Sequence, residues 1–138
     1  MKNVKPKDCP ALLAAGHTYL DVRTTEEFEA AHPTGAFNVP VMTRGPAGMQ
    51  PNPDFTKVVV AHFAKTTKLV VGCQSGIRSL RACEELAQVG FTEFVNMEGG
   101  FGGSRDGEAG WSECGLPTAS GNPEGRTYAA ILALTKAR

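Results

Sequence analysis

The run of residues 68–72, read together with the segment that follows it, constrains the fold more than any other feature of the chain. The run is apolar and β-branched between polar neighbours, as in the central strands of parallel sheets. Gly76 then permits a tight turn, and an amphipathic helical pattern continues to Gly90. The apolar stripe of that helix comprises Ile77, Leu80, Cys83, Leu86 and Ala87. A buried strand that leads at once into a helix predicts an α/β protein.

The rest of the chain repeats this alternation of strands and helices. Short apolar runs predict strands at residues 19–22, 36–39 and 94–96. Helical spacing and capping residues predict helices at residues 12–16, from Thr24 or Thr25 to near His32, at 54–65 and at 127–137. Glycine-rich or proline-rich composition predicts loops at residues 42–53 and 98–110. The pattern therefore indicates an open parallel sheet with helices on both faces.

The length of 138 residues fits one domain of ordinary size. Apolar residues make up 41% and charged residues 20% of the chain, as in soluble globular proteins. We expect a single domain over residues 1–138, with a core at about residues 10–118 and a C-terminal tail at residues 119–138.

Charge and hydropathy exclude several classes of partner. Lysine and arginine balance aspartate and glutamate at 14 each, whereas a protein that binds nucleic acid presents a basic face. No apolar run approaches the 18 or so residues that span a bilayer, and none of signal-peptide length follows the basic N-terminus. We therefore expect a cytoplasmic protein that binds neither nucleic acid nor membrane.

The chain has four cysteines, at positions 9, 73, 83 and 114. Without a secretion signal, free thiols are expected. No pair has C-x-x-C spacing and the three histidines do not cluster with them, so we expect no metal site and no cofactor. Cys83 falls on the apolar stripe and is expected to pack in the core. Cys9 and Cys114 lie in loop-like surroundings without an expected chemical role, although a resolving thiol among them stays open.

Cys73 is the candidate nucleophile. It lies just beyond the carboxyl end of the best strand, where open parallel sheets bind their ligands. The first amides of the following helix lack intrahelical partners, and they can form an anion nest together with the helix dipole and Arg78. These features favour a thiolate over a thiol. The alternative is that Cys73 is only a small buried hydrophobe.

The segment from Cys73 to Ser79 resembles the active-site loop of the rhodanese family. It reads Cys73-Gln74-Ser75-Gly76-Ile77-Arg78-Ser79 and matches the C-x-x-G-x-R-S form of many single-domain members. Upstream, Leu20-Asp21-Val22-Arg23, Glu27-Phe28, His32 and Gly35 to Pro40 are similar to the family's first signature. Downstream, Glu98-Gly99-Gly100, Trp111 and Gly115-Leu116-Pro117 are similar to the closing one. Residues 42–49 also resemble the small plant senescence-associated rhodaneses and their bacterial relatives.

Three positions depart from the family pattern. Ala31 stands where a glycine usually precedes the histidine, and Pro33 stands where an isoleucine usually follows it. The family's tryptophan usually lies a few residues after the double glycine, whereas residues 101–110 intervene here. The extended loop bears on substrate identity more than on the fold.

The resemblance implies a thiosulfate sulfurtransferase. The Cys73 thiolate attacks the outer sulfur of a donor such as thiosulfate, sulfite leaves, and a persulfide remains on Cys73. An acceptor then removes the sulfur; it is cyanide, a small thiol, or a thioredoxin-like or other thiol protein. The resemblance also implies that the amides of residues 74–79, including Gln74, Ser75, Gly76, Ile77 and Ser79, cradle the anion. Arg78 either binds the donor's sulfonate or closes the loop by pairing with an acid.

Four other residues are assigned by the same comparison or by local chemistry. Asp21 matches the family's aspartate next to the site, and it either acts there directly or orders loop backbone. Arg23 is expected to pair with Glu26 or Glu27. His32 is expected to end a helix or to satisfy backbone groups. Arg44 is a candidate cation in a loop that approaches the pocket.

Other functions remain open at the level of sequence. Phosphatases and arsenate reductases of the same general fold place five residues between cysteine and arginine, whereas four, residues 74–77, intervene here. A non-catalytic binding module often lacks the cysteine, whereas this chain has both Cys73 and Arg78. A persulfide carrier in a sulfur relay is not distinguished from a free-standing enzyme.

Overall fold

The computed structural model describes residues 2–137, which form nine strands and five α-helices. The strands are β1 (Lys2–Val4), β2 (Thr18–Asp21), β3 (His32–Pro33), β4 (Phe37–Asn38), β5 (Met42–Gly45), β6 (Gly48–Pro51), β7 (Leu69–Gly72), β8 (Phe94–Met97) and β9 (Thr118–Ala119). The helices are α1 (Cys9–Ala14), α2 (Thr25–Ala30), α3 (Phe55–His62), α4 (Ile77–Gln88) and α5 (Tyr128–Ala137).

A five-stranded sheet with the order β1-β8-β7-β2-β4 lies at the centre of the fold. Every neighbouring pair in it is parallel, and β7 is the middle strand. From β2 the chain proceeds outward to β4, whereas from β7 it proceeds to β8 in the opposite direction. The strand order thus reverses between β2 and β7, and ligands of open α/β sheets bind at such a reversal.

Both faces of the sheet are covered, which confirms the predicted fold class. Alternate residues of β7 point to opposite sides because side chains alternate along a strand. Leu69 and Val71 pack in one apolar cluster with residues of α3, α4 and α5, whereas Val70 packs in a second cluster with Tyr19 and Trp111. None of the helices within residues 2–137 is both long and apolar enough to cross a membrane.

Some local expectations were wrong. Residues 42–53 were expected to be a loop, but β5 and β6 pair there as an antiparallel hairpin whose turn requires the positive φ of Gly48. Of the predicted stripe, Cys83 and Leu86 are buried, whereas Ala87 is exposed. The first turn of α4 is exposed as well, with Ile77 at 66% and Leu80 at 38%. That turn lies at the carboxyl edge of the sheet, so the sheet does not cover it.

The sheet and the core extend on both sides of residues 10–118. At the N-terminal side, β1 pairs with β8 and becomes an edge strand. At the C-terminal side, Ile131 of α5 is completely buried and packs in the cluster formed with α3. The C-terminal segment thus contributes to the core through α5.

Truncation of Ile131 tests whether α5 stabilises the fold. Ile131→Ala should lower the free energy of unfolding by about 2–4 kcal/mol, the cost of a large-to-small change at a buried site. Leu134→Ala on the same helix is the matched control, because Leu134 is 48% exposed. Urea denaturation of both variants measures the difference. Equal, small effects of the two substitutions would contradict the placement of α5.

Candidate active site

Cys73 follows the central strand β7 and lies at the reversal of strand order. Its side chain is almost completely buried, at 1% exposed. The amide of Gly76 donates a hydrogen bond to Cys73 Sγ over 3.0 Å. The Cys73 thiol faces Ser79 Oγ at 3.5 Å, and Ser79 Oγ donates to the Gly76 carbonyl over 3.1 Å. The sulfur is thus in contact with a backbone donor and with a hydroxyl that can act as donor or acceptor.

Gly76 turns the chain from the loop into α4. Its φ of 101° lies in the left-handed region, which glycine adopts at no steric cost. The residue is also the N-cap of α4, so its amide points back at the sulfur while the helix begins. A side chain at this position would strain the turn that aims the amide.

The remaining amides of the loop are oriented by the segment behind it. Phe101 N–H donates to the Cys73 carbonyl over 2.7 Å, and Gly102 N–H donates to the Gln74 carbonyl over 3.0 Å. Because the peptide unit is planar and trans, the N–H groups of Gln74 and Ser75 point away from that segment. Neither N–H donates to an acceptor within residues 2–137. The loop therefore presents free donors to an anion.

The close fit between the two segments depends on Gly100. Its φ is 61°, and a Cβ there would lie 2.5 Å from the Gln74 carbonyl. Only glycine allows the backbone of the extended loop to approach the cysteine loop so closely. The segment that begins the family's closing signature is thus a structural support of the cysteine loop.

Arg78 forms a two-pronged ion pair with Glu27 of α2. Nη1 donates to Oε1 over 2.6 Å and Nη2 donates to Oε2 over 2.9 Å. Glu27 also completes a capping box with Thr24, so α2 and the loop share one carboxylate. Of the two alternatives for Arg78, the structure has the one in which it closes the loop by pairing with an acid.

The Glu27 carboxylate is strongly stabilised in its charged form. Burial raises the pKa of Glu27, but hydrogen bonds from Arg78 and Thr24 outweigh burial and lower this pKa to about 2. The hydrogen bond with Glu27 in turn raises the pKa of Arg78. The pair therefore stays ionised at neutral pH and ties α4 to α2.

Arg23 pairs with Asp21 and not with Glu26 or Glu27, so the expected pairing was wrong. Both residues are buried, and Arg23 Nη2 donates to Asp21 Oδ2 over 2.8 Å. Arg23 Nη1 also donates to Gln74 Oε1 over 3.1 Å, and its guanidinium lies 4.5 Å from the centre of the Phe101 ring. Asp21 is thus linked by hydrogen bonds to the cysteine loop through Arg23. The helical spacing around residues 24–27 gave no indication of this buried strand-end pair.

The comparisons with known proteins agree with this geometry. The family model described as "Rhodanese-like domain" matches residues 5–105. The chain belongs to this family. The Arabidopsis thaliana protein "Thiosulfate sulfurtransferase 16, chloroplastic" is 49% identical over 107 residues, which cover 78% of this chain and 83% of that protein. The resemblance inferred from the cysteine loop and its flanking signatures is confirmed.

Among the other similar proteins, one is longer than this chain and one shares only its fold. The "Senescence-associated protein DIN1" of Raphanus sativus is 43% identical over 106 residues, which cover 77% of this chain and 54% of that protein. This rhodanese-like chain thus spans about half the length of that relative. The crystal structure of Rv0390 from M. tuberculosis has a TM-score of 0.74 and 24% sequence identity, and the match covers 88% of this chain and 98% of that one.

Three further residues were assigned from the sequence or missed by it: Arg44, His32 and Asn38. Arg44 is exposed on β5, near Thr24 and Tyr128, and within residues 2–137 no hydrogen bond or ion pair joins it to residues 73–79. His32 Nδ1 lies 2.7 Å from the Phe28 carbonyl, so His32 satisfies a backbone group as expected. Asn38 was missed: its amide donates to the carbonyls of Asp21 and Arg23.

The other three cysteines lie outside the cysteine loop. Burial raises the pKa of both Cys9 and Cys83 to about 12, so these thiols stay protonated at neutral pH. Cys83 packs in the core as predicted, and Cys114 is exposed. Among residues 2–137, no group of three or more histidine, cysteine, aspartate or glutamate side chains is arranged to hold a metal ion.

Glu27→Gln is expected to remove a pH-dependent part of the stability. The pKa of Glu27, about 2, lies below its ordinary value of 4.5, so its contribution is complete above pH 4.5 and is lost as the pH falls toward 2. Wild type should exceed the variant in unfolding free energy by about 2 kcal/mol at neutral pH, and the difference should shrink toward zero near pH 2. Chemical denaturation at a series of pH values measures it.

Glu26→Gln is the control, because Glu26 is exposed in the same helical turn. It should leave the pH dependence of stability close to that of wild type. A wild-type advantage over Glu27→Gln that stays constant from neutral pH to pH 2 would contradict the ion pair.

Proposed function

We propose that this chain is a sulfurtransferase that carries sulfane sulfur as a persulfide on Cys73. The observation that carries the proposal is the contact between the Gly76 amide and Cys73 Sγ at 3.0 Å, beside two further amides that have no acceptor within residues 2–137. Such a group of donors stabilises a sulfur anion at the start of a helix. The name of the thiosulfate sulfurtransferase from Arabidopsis thaliana supports the same reaction class.

In the first half-reaction the Cys73 thiolate attacks the outer sulfur of thiosulfate. A bond forms between Sγ and that sulfur, the sulfur–sulfur bond of thiosulfate breaks, and sulfite leaves with the bonding electron pair. Because Cys73 is nearly buried, a donor must present a sulfur atom that projects from its bulk, as thiosulfate does. Sulfite is a good leaving group, so no acid is needed to protonate it.

The persulfide anion then occupies the place where the loop amides converge. The N–H groups of Gln74, Ser75 and Gly76 are the donors closest in sequence to the sulfur, and the dipole of α4 adds partial positive charge. The Ser79 hydroxyl accepts from the thiol and donates to the Gly76 carbonyl in the present arrangement. Rotation of that hydroxyl would let it donate to the sulfur once Cys73 is ionised.

In the second half-reaction a nucleophile removes the outer sulfur. Cyanide, a small thiol, or the thiol of a thioredoxin-like protein can attack it, and Cys73 leaves as a thiolate. Arg78 holds the loop in shape through Glu27 rather than standing free in the pocket. The four-residue interval between Cys73 and Arg78 favours this chemistry over that of phosphatases, whose loops are one residue longer. A carrier role in a sulfur relay would use the same persulfide.

Intact mass after incubation with thiosulfate tests the proposal. Wild-type protein should gain the mass of one sulfur atom, and cyanide should remove it. Cys73→Ser should gain none while folding normally, because the substitution is nearly isosteric. Cys114→Ser is the matched control, since Cys114 is the exposed cysteine, and it should behave like wild type. Sulfur gained by Cys73→Ser would contradict the mechanism. Failure of the wild type to gain sulfur from any sulfane donor would also contradict it.

A further inference from the structure

An open cleft of about 430 Å³ lies directly beside the cysteine loop. One wall is formed by Ser75, Gly76 and Ile77 of the loop and the start of α4. A further part of the lining comes from the end of β8 and the extended loop after it. We call this part the acidic wall; it consists of Asn96, Glu98, Asp106 and Glu108. The mechanism described above uses none of these four residues.

The acidic wall carries more negative than positive charge, because its three carboxylates have one lysine nearby, Lys5, which attracts both Glu108 and Glu98. Lys5 neutralises Glu108 through an ion pair of 2.9 Å. Glu98 and Asp106 form no ion pair or side-chain hydrogen bond with residues 2–137. Arg78, the positively charged residue of the cysteine loop, is bound to Glu27 and does not line the cleft. The cleft beside the anion nest therefore attracts cations, whereas the nest itself attracts anions.

Asn96 provides an independent sign of a missing ligand. The residue is 2% exposed and lines the cleft. Its Nδ2 donates to Asn3 Oδ1 over 3.1 Å, whereas its Oδ1 has no hydrogen-bond partner among residues 2–137. A buried acceptor without a partner is costly, so the site favours a ligand that brings N–H donors.

The third property of the cleft is its exposed apolar surface. Ile77 and Leu80 line it and are unusually exposed for large aliphatic residues. A short alkyl chain packed against them would remove apolar surface from water. The acidic side chains do not form a group that could hold a metal ion in residues 2–137. An organic cation on an alkyl chain fits these three properties together.

We propose that this cleft is the acceptor subsite and that it selects thiols carrying an ammonium group on a short alkyl chain. The inference rests on the proposed sulfurtransferase function. The ammonium group lies between Glu98 and Asp106, and the alkyl chain crosses Ile77 toward the persulfide. Asn96 Oδ1 is closed to solvent in the free protein, and it accepts from the ammonium group once the Asn96 side chain turns toward the cleft. The acceptor sulfur bonds to the outer sulfur and the bond from that sulfur to Cys73 Sγ breaks. The thiol proton moves to the transferred sulfur, and Cys73 leaves as a thiolate.

Discharge of a preformed Cys73 persulfide tests the selectivity. The acceptors are ω-aminoalkanethiols of two to six carbons and mercaptocarboxylic acids of the same lengths, compared at equal thiolate concentration. Wild type should prefer the aminothiols, with an optimum at one chain length. In the double variant Glu98→Gln/Asp106→Asn the preference at that length should fall about tenfold. Persulfide formation from thiosulfate should stay unchanged.

The double variant Glu29→Gln/Glu124→Gln is the matched control, because it removes the same charge from exposed positions away from the cleft. It should retain the wild-type preference. Equal rates for the two acceptor series in wild type, or an equal fall in both double variants, would overturn the inference.

A binding measurement keeps the inference testable even if no persulfide forms. The probe is the aminoalkanol whose chain length matches the best aminothiol, or the four-carbon aminoalkanol if no chain length is preferred. Its addition to Cys73→Ser protein should shift the NMR signals of the Asn96 side-chain amide and the Gly76 amide. The same titration in the Glu98→Gln/Asp106→Asn background should leave them in place. Absence of these shifts in Cys73→Ser protein would overturn the subsite, whereas absence of a persulfide with normal shifts would overturn only the sulfurtransferase function.

Discussion

The hydrogen bonds from Phe101 and Gly102 to the carbonyls of Cys73 and Gln74 determine what the cysteine loop can bind. The carbonyl and the N–H of a trans peptide unit point in opposite directions. Because the two carbonyls point toward the extended loop, the N–H groups of the same peptide units point toward the site. Gly100 permits the close approach that these bonds need. The extended loop is therefore part of the candidate active site, although among residues 2–137 none of its side chains forms a hydrogen bond with Cys73 Sγ.

Charge is distributed unevenly around this centre. Both arginines next to the loop are committed to carboxylates, Arg78 to Glu27 and Arg23 to Asp21. Loss of either buried or half-buried carboxylate would leave a positive charge unpaired, which is strongly destabilising. The attraction for an anion therefore comes mainly from backbone amides and from the dipole of α4. The neighbouring acidic wall has the opposite sign, so the two half-reactions of the proposed mechanism would take place in different electrostatic surroundings.

Local patterns predicted those parts of the structure that depend on sequence-neighbouring residues. The central strand, α4 and the position of Cys73 between them follow from hydrophobic periodicity and from Gly76. The partner of Arg23 could not be predicted, because it depends on side-chain geometry at the end of a buried strand. The exposure of Ile77 depends on where α4 begins relative to the sheet edge. The pairing of β1 with β8 joins segments 93 residues apart, as Lys2 and Val95 show, and no local signal specifies it.

The central claim is that the loop amides hold the sulfur anion. A crystal structure of the persulfidated protein tests this most directly. The account predicts that the outer sulfur lies within hydrogen-bond distance of the amides of Gln74, Ser75 and Gly76, with Arg78 still bound to Glu27. An outer sulfur that points away from these amides, or that is held by a released Arg78 instead, would contradict it.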